Sequence, residues 1–559
     1  MSRTVILVEA DLVSPLGVAV TLRFSDRAIA PMAPDDADRP NAVWSDRLIE
    51  PPTLKRMLFD DLQSLEPGLG VGTLVLANAD GGLDAYESYV WGEVRVWRWT
   101  VGQAFSTALP LMTGPAAGTP SRDVQTRSPS RVRLTLFDYR LELERPIQTA
   151  TLQGTNDVDG DIYFEGDASL RGRLKPLAYG NLLTAHIPAP LVNAYVSAYQ
   201  LHDGPIAETH VGGYELQIYD RGGPAGLVFG NDLTGEIETD EEFYYEALYP
   251  EVEDNPFDPV PPGDVPPEPD PEAPPLEPRW QAWTERGLLK LNGQLVGEIA
   301  FGIAGDVTGG TYVETPGPII ARLLARAGVP AERIGASVAS ATCDSVMGLY
   351  VPAGGTAREI IGFVARSAPL AILPDRMGVW QAVPFAAPAE VADFTLIGDE
   401  IIQLEADDSA PRGAGEFIVG WDRIWTTYRR ESLQAELQGT AAETRLAEPY
   451  RYSTLEDAAF KARYPSAWQT MKVDSALRYE ADADALAETF QGLFGLRADG
   501  RPRRQWRVTI EMTDTVLALP LGSTVSIQAP DFGVEDHFLL IGEEPMRPRR
   551  DFIVWTLWG

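Results

Sequence analysis

The residues able to do chemistry are few, and their spacing fits no known catalytic or metal-binding pattern. Cys343 is the sole cysteine, so intramolecular disulfides and cysteine-rich metal centres are excluded. It lies in Ser340-Ala341-Thr342-Cys343-Asp344 with no histidine near it in sequence. A nucleophile would need a base brought to it in space, and a small buried hydrophobe is the plainer expectation. The four histidines, His186, His202, His210 and His537, follow no ligand spacing, and no His-Glu-x-x-His occurs. Asn156-Asp157-Val158-Asp159-Gly160-Asp161 concentrates oxygen ligands. A calcium-binding EF-hand loop needs such oxygens at positions one, three and five, glycine at six and a bidentate glutamate at twelve. With Gly160 at six, Thr155 falls at one and Gly166 at twelve, so the motif fails at its ends. A non-standard metal site at Asp157, Asp159 and Asp161 stays open beside the simpler reading of an exposed turn. Gly309-Gly310-Thr311 lacks the spacing and the lysine of a phosphate loop, and no nucleophile elbow follows a strand. Among 81 acidic residues, no carboxylate pair for glycoside chemistry can be singled out. No catalytic, cofactor-binding or metal residue is assigned, no cofactor is expected, and the chain is expected not to be an enzyme.

Thirteen tryptophans raise a different possibility. Exposed aromatic platforms bind sugars and anchor protein interfaces. Trp91, Trp97 and Trp99 share one strand region, and Trp555 and Trp558 close a final strand. Most are expected to fill cores and strand faces, the last pair included.

Charge limits the partners. Lys plus Arg total 46 against 81 Asp plus Glu, a net charge of −35. Such a surface repels phosphate backbones, which argues against stable nucleic-acid binding and suits a wall past which DNA slides. Plain solubility of a large assembly-prone protein explains it equally. No apolar run reaches the roughly 20 residues a bilayer requires. The start reaches Glu9 after four apolar residues, too few for a secretory leader.

The elements that would position any site read mostly as strands. Thr4–Val8 and Val18–Phe24 flank a Ser-Pro-Leu-Gly turn. Gly72–Ala77 is closed by the strand-breaking cluster Asn78-Ala79-Asp80-Gly81-Gly82. Val94 and Val96, and Val132, Leu134 and Leu136, keep the period of two. After a Pro-rich tract, Ile319, Ile320, Leu323, Leu324 and Ala327 mark a helix stopped by Gly328. Thr356 with Glu359 forms a capping box, and Ser453 with Glu456 a second one that opens another helix. Leu370–Leu373 and Val379–Val383 read as a hairpin, and Ala483, Leu486, Ala487, Phe490 and Phe494 as a further helix. Alternation at Trp506–Met512, Val525–Ile527 and Phe538–Leu540, then Phe552–Trp558, predicts a small antiparallel barrel or sandwich. The fold class is mostly β with short helices (α+β), built from several antiparallel barrel or sandwich units. Five segments follow: an N-terminal β domain at 1–150, a β-rich domain at 151–250, a Pro-rich acidic linker or insertion at 251–280, an α+β domain at 281–410, and a helical segment with C-terminal barrel at 411–559. This pattern leaves room for discontinuous domains.

Three stretches resemble the tail-tip (baseplate) hub proteins of siphophages, as in Mu-like siphophages and the tails of gene transfer agents. They are Gly72–Asp84; Leu174-Lys175-Pro176-Leu177-Ala178-Tyr179-Gly180-Asn181 paired with Tyr199-Gln200-Leu201-His202-Asp203-Gly204-Pro205; and Leu288–Gly559, which is similar to the central hub of contractile tails. The resemblance implies a ring-forming structural protein, usually a homotrimer, joining a six-fold tail tube to a three-fold tip. It implies that the β units are barrels of tail-tube-like type, lining or gating a channel through which DNA is ejected without specific binding. The implied partners are the distal tail protein, the tape measure protein and tail fibre or tip proteins, with transient contact to the host cell envelope. The implied place is the virion tail tip, after assembly in the host cytoplasm. Cys343 alone cannot make the cysteine-ligated iron–sulfur cluster that gene-transfer-agent tails carry elsewhere in the tip, and the Pro-rich tract departs from a minimal hub. A receptor- or carbohydrate-binding tail protein is the alternative, and a tail-associated cell-wall hydrolase a third.

Overall fold

The computed structural model describes residues 4–52, 55–123, 130–156, 164–194, 197–207, 217–220, 279–292, 299–341, 343–407, 413–433, 437–466, 468–497, 499–546 and 551–559. The Pro-rich tract through residue 278, His210, and Asp157, Asp159 and Asp161 lie outside them. Strands dominate, with few short helices, as the alternation predicts.

Near the N-terminus, β1 (Thr4–Val13), β2 (Ala19–Ser25) and β3 (Leu48–Glu50) precede the two-residue β4 (Arg56–Met57), which pairs elsewhere. Next come β5 (Val71–Ala77), β6 (Val90–Thr100), β7 (Leu109–Asp123) and β8 (Arg131–Phe137). The seven-stranded sheet runs β2-β1-β6-β7-β8-β5-β3. The first half of β7 pairs with β6 and its second half with β8, so one long strand joins two parts of the sheet. Both faces of β1 are covered, as a near-continuous apolar run requires. Ile6, Val8, Ala10 and Leu12 enter the main core. Val5 and Leu7 pack with Trp44, Trp97, Trp99 and Phe105 in a separate cluster. The strand continues past Val8 to Val13 because Glu9 meets arginines directly across both neighbouring strands, Arg23 on β2 and Arg95 on β6.

The middle of the chain builds two four-stranded sheets. One contains β9 (Leu177–Pro188), β12 (Gln217–Asp220), β15 (Ile299–Ala304) and β16 (Gly348–Val351); the other contains β10 (Leu191–Asn193), β11 (Ala198–Gln200), β13 (Arg279–Trp283) and β14 (Leu288–Asn292). Helix α1 (Pro316–Arg326) buries Ile319, Ile320, Leu323 and Leu324. It ends before Gly328, whose φ of +89° is the left-handed stop the sequence predicts. After the single-turn α2 (Ala336–Ala339), α3 (Ala357–Arg366) opens on the Thr356–Glu359 capping box. It leads into the hairpin β17 (Leu370–Pro374) and β18 (Trp380–Pro384).

The last part begins with β19 (Phe394–Ile397) and β20 (Ile401–Ala406), followed by β21 (Glu416–Trp421), helix α4 (Ala441–Ala447) and β22 (Arg451–Glu456). Helix α5 (Ala458–Arg463), β23 (Thr470–Asp474) and α6 (Glu480–Phe494) come next. Then β24 (Gln505–Glu511), α7 (Asp514–Ala518), β25 (Thr524–Ala529), β26 (Val534–Met546) and β27 (Phe552–Trp558) complete the chain. The Ser453–Glu456 capping box is not realised. Both residues lie in β22, which pairs with β21, and the Ser453 hydroxyl donates to Asp484 instead of accepting a backbone N–H as a cap would. The helix starts four residues later, where the Asp457 carboxylate accepts from Phe460 N–H.

The C-terminal sheet runs β19-β25-β26-β27-β24-β20, with β4 added against β26. Its edge strands, β19 and β20, are consecutive in the chain and joined by a three-residue 3-10 turn, Gly398–Glu400. The sheet therefore curls until its edges meet at that turn, a half-closed barrel rather than a flat sandwich. β19 joins β25 in parallel, the one departure from antiparallel pairing in this sheet. Trp555 and Trp558 are fully buried, as expected. One apolar core runs from β1 and β6 through α1 and α3 into the barrel.

Candidate functional site

The groups with chemical potential sit in buried ion networks. The two halves of the paired motif meet in the first. Asp203 N–H donates to the Pro176 carbonyl, and Ala178 N–H to His202 Nδ1 at 2.9 Å. Because Nδ1 accepts, the ring proton is on Nε2, which faces Asp306 Oδ1 at 3.3 Å. Asp306 also receives Thr308 Oγ1 and, at 2.5 Å, Arg322 Nη1. Burial pushes the Asp306 carboxyl up, but His202, Thr308 and Arg322 together hold it below the usual range. Gly287 is needed beside the histidine: its φ is +60°, and a Cβ there would lie 2.4 Å from the His202 carbonyl oxygen. The His–Asp pair has the geometry of a catalytic relay, but His202 is wholly buried and both its nitrogens are committed. What it does here is lock β9 to the start of α1's connection.

A second network surrounds Asp422, a non-glycine residue at φ +48°. Its carboxylate takes Arg445 Nε at 3.0 Å, Arg478 Nη2 at 2.6 Å and Thr184 Oγ1 at 3.0 Å, tying β9 to the segments after β21 and β23. Beside it, His186 Nδ1 lies 2.8 Å from the Tyr428 hydroxyl. Burial, reinforced by Arg445, pushes the His186 imidazole down to about 4, so it is neutral at pH 7.

A third network joins the N-terminal part to the barrel. Glu543 on β26 receives Arg56 Nη1 at 2.5 Å and Arg376 Nε at 3.1 Å. Arg140, 2% exposed, grips Asp138 through Nε at 2.8 Å and Nη2 at 2.6 Å, and donates to the Met57 carbonyl. Burial pushes Glu543 up, but Arg376 and Arg56 overcome it and hold the carboxyl below its ordinary value. Sequence spacing offers no access to this group, since Arg56 and Glu543 are 487 positions apart.

The remaining sequence candidates stay apart. Cys343 is half-buried rather than buried, because it follows the one-turn α2 at the edge of the core. His537 is bound through Nδ1 to the Ala389 carbonyl at 2.9 Å. Gly309 and Gly310 form a turn with φ of +81° and +79°. Trp91, Trp97 and Trp99 are buried, and Trp468 is the exposed tryptophan among the described residues, with Lys461 Nζ 4.4 Å from its ring centroid. Among the described residues no group of three His, Cys, Asp or Glu could hold a metal ion.

Three solved structures align with nearly the whole chain. The tail protein from Neisseria meningitidis MC58 is similar at 9% identity and a TM-score of 0.40, over 99% of this chain and 96% of that one. The 43 kDa tail protein of prophage MuSo2 from Shewanella oneidensis is similar at 8% identity and a TM-score of 0.40, over 99% and 98%. A prophage tail protein from Listeria monocytogenes EGD-e is similar at 7% identity and a TM-score of 0.33, over 100% and 94%. No family model matches the sequence, and no curated protein does.

Proposed function

We propose that the chain is a structural component of a bacteriophage tail, the hub at the tail tip, and that its work is architectural rather than catalytic. The observation that carries this reading is the pairing of open strand edges with exposed apolar side chains. Among the described residues, the N-terminal sheet ends at β3 and at β2, whose outer edge meets only Ser45 near its C-terminal end, and the barrel ends at β19 and β20, which meet at their shared turn and do not pair with each other beyond it. At one end of the strands of that sheet, Leu16 is 91% exposed at the β1–β2 hairpin tip, with exposed Val13 and Val18 beside it and exposed Val90 on β6 directly across from Val13. On the barrel edges, Ile397 and Ile402 are exposed. Open edges and clustered exposed apolar residues mark association surfaces, and identical copies around an axis complete them without a free edge. A homotrimer is the simplest such ring. The sequence resemblance to hub proteins and the net charge of −35 support a ring whose bore lets DNA pass. Distal tail, tape measure and fibre proteins are its natural neighbours, and the virion tail tip its place.

Sedimentation or light scattering of the purified chain tests this. A mass near three times the 61.0 kDa chain is expected, reverting toward one chain in Leu16→Asp or Ile402→Asp. A single-chain mass at every attainable concentration, in the presence of tail extracts as in their absence, overturns the ring.

A further inference from the structure

In a chain with nearly two acids per basic residue, an arginine without a carboxylate is conspicuous. A cleft of 660 Å³ opens between the end of α5, the loop from α6 to β24, and the rim of the barrel. Arg463, Arg497, Arg501 and Arg504 line it together with Trp506 and Asp536. Arg497 is spoken for by Asp536, with Asp499 further off at 3.9 Å. Neither the Arg501 nor the Arg504 guanidinium forms an ion pair within 4.0 Å among the described residues, although the Asp499 carboxylate accepts the Arg501 backbone N–H at 2.9 Å and 81 acids are available to the chain. Their backbone is nevertheless fixed. Arg497 N–H donates to the Arg501 carbonyl at 2.9 Å, and Arg504 exchanges both its backbone hydrogen bonds with Gly559 at 2.9 and 3.1 Å. The two exposed guanidiniums thus project from a loop whose backbone is anchored. Trp506 is half-buried at the wall, edge-on to Phe538 at 6.3 Å, and offers an aromatic surface beside the charges.

The lining also contains carboxylates, Glu535 and Asp536, and this mixed sign discriminates between anions. A phosphodiester chain presents acceptors only, so it has no donor to offer Glu535 and Asp536. A polypeptide carries carboxylates for the guanidiniums and N–H donors for the acids. We propose that this cleft binds an acidic polypeptide segment of a partner protein, with Arg501 and Arg504 taking its carboxylates as forked pairs and Trp506 covering the chain between them. The site goes beyond the tail reading and is separable from it, because peptide binding is measured whether or not copies assemble.

The test is titration of the full chain with short poly-L-glutamate, followed by Trp emission and calorimetry, with oligo-dT and inorganic phosphate as comparison probes. Poly-L-glutamate is expected to bind, to weaken with added salt, and to lose at least tenfold in affinity in Arg501→Glu/Arg504→Glu. Both side chains are exposed, so the double variant keeps its melting temperature, which is measured alongside. Trp506→Ala weakens binding further without changing its salt dependence. Absence of glutamate binding, binding indifferent to the double variant, or tighter binding of oligo-dT or phosphate than of glutamate each overturns the proposal.

Discussion

The N-terminal sheet and the C-terminal barrel each bury a glutamate, and they neutralise it in opposite ways. Glu9, 1% exposed, is met by Arg23 and Arg95 from the two strands beside it and by Arg39, 30 positions away. All lie within one sheet and the loop that covers it. Glu543 is met by Arg56 and Arg376, 487 and 167 positions distant, and β4 completes the barrel from the other end of the chain. The first sheet therefore settles its own electrostatics, while the barrel is finished only when the rest of the molecule has docked. A charge that must be paired from afar makes the barrel's fold conditional on the whole.

Removing each glutamate tests that difference directly. Glu543→Ala leaves Arg56 and Arg376 buried side by side with Arg140 nearby, and is expected to lower stability by about 3–5 kcal/mol, read as a drop in melting temperature and loss of barrel protection in hydrogen exchange. Glu9→Ala is expected to cost less, about 2 kcal/mol, because Arg23 and Arg95 are 33% and 26% exposed and turn to water. Equal losses, or a larger loss for Glu9→Ala, would break the contrast between a self-sufficient sheet and a dependent barrel.

The same contrast explains what the sequence made legible. Strands whose alternation is local were readable: the last strands of the barrel, β5 with its closing turn, and β6 with β8. The Thr356–Glu359 box formed because the residues behind it, Ile360, Ile361, Val364 and Ala365, bury one helical face. The identical pattern at Ser453 failed because Tyr452, Thr454 and Leu455 suit a strand, and β21 lies ready to pair with it. The networks were not legible. His202 finds Asp306 104 positions on, and no spacing rule connects residues that only the fold brings together. One local signal did exist, an acid set inside an apolar strand, as Glu9 is between Val8 and Ala10. Such a residue must be paired if the strand is buried, but the sequence does not say by what.

The smallest effect separates neutral burial from paired burial. Glu9 and Glu543 are both held below their ordinary values, so the stability they contribute is whole above about pH 4.5 and is lost only as pH falls below it. His186 behaves differently. Its folded imidazole titrates at about 4 against 6.5 when unfolded, so between those values the unfolded chain binds the extra proton. Its contribution is complete above pH 6.5 and falls away as pH drops toward 4. Lowering the pH from 7 to 5 should therefore cost roughly 1–2 kcal/mol before either buried glutamate responds. His186→Asn, which tolerates the φ of +47° at this position, should flatten that slope while leaving the acid transition below pH 4.5 in place. Denaturant melts at pH 7, 6 and 5 for both proteins decide it. If the slope persists unchanged in His186→Asn, the imidazole beside Tyr428 is not the titrating group.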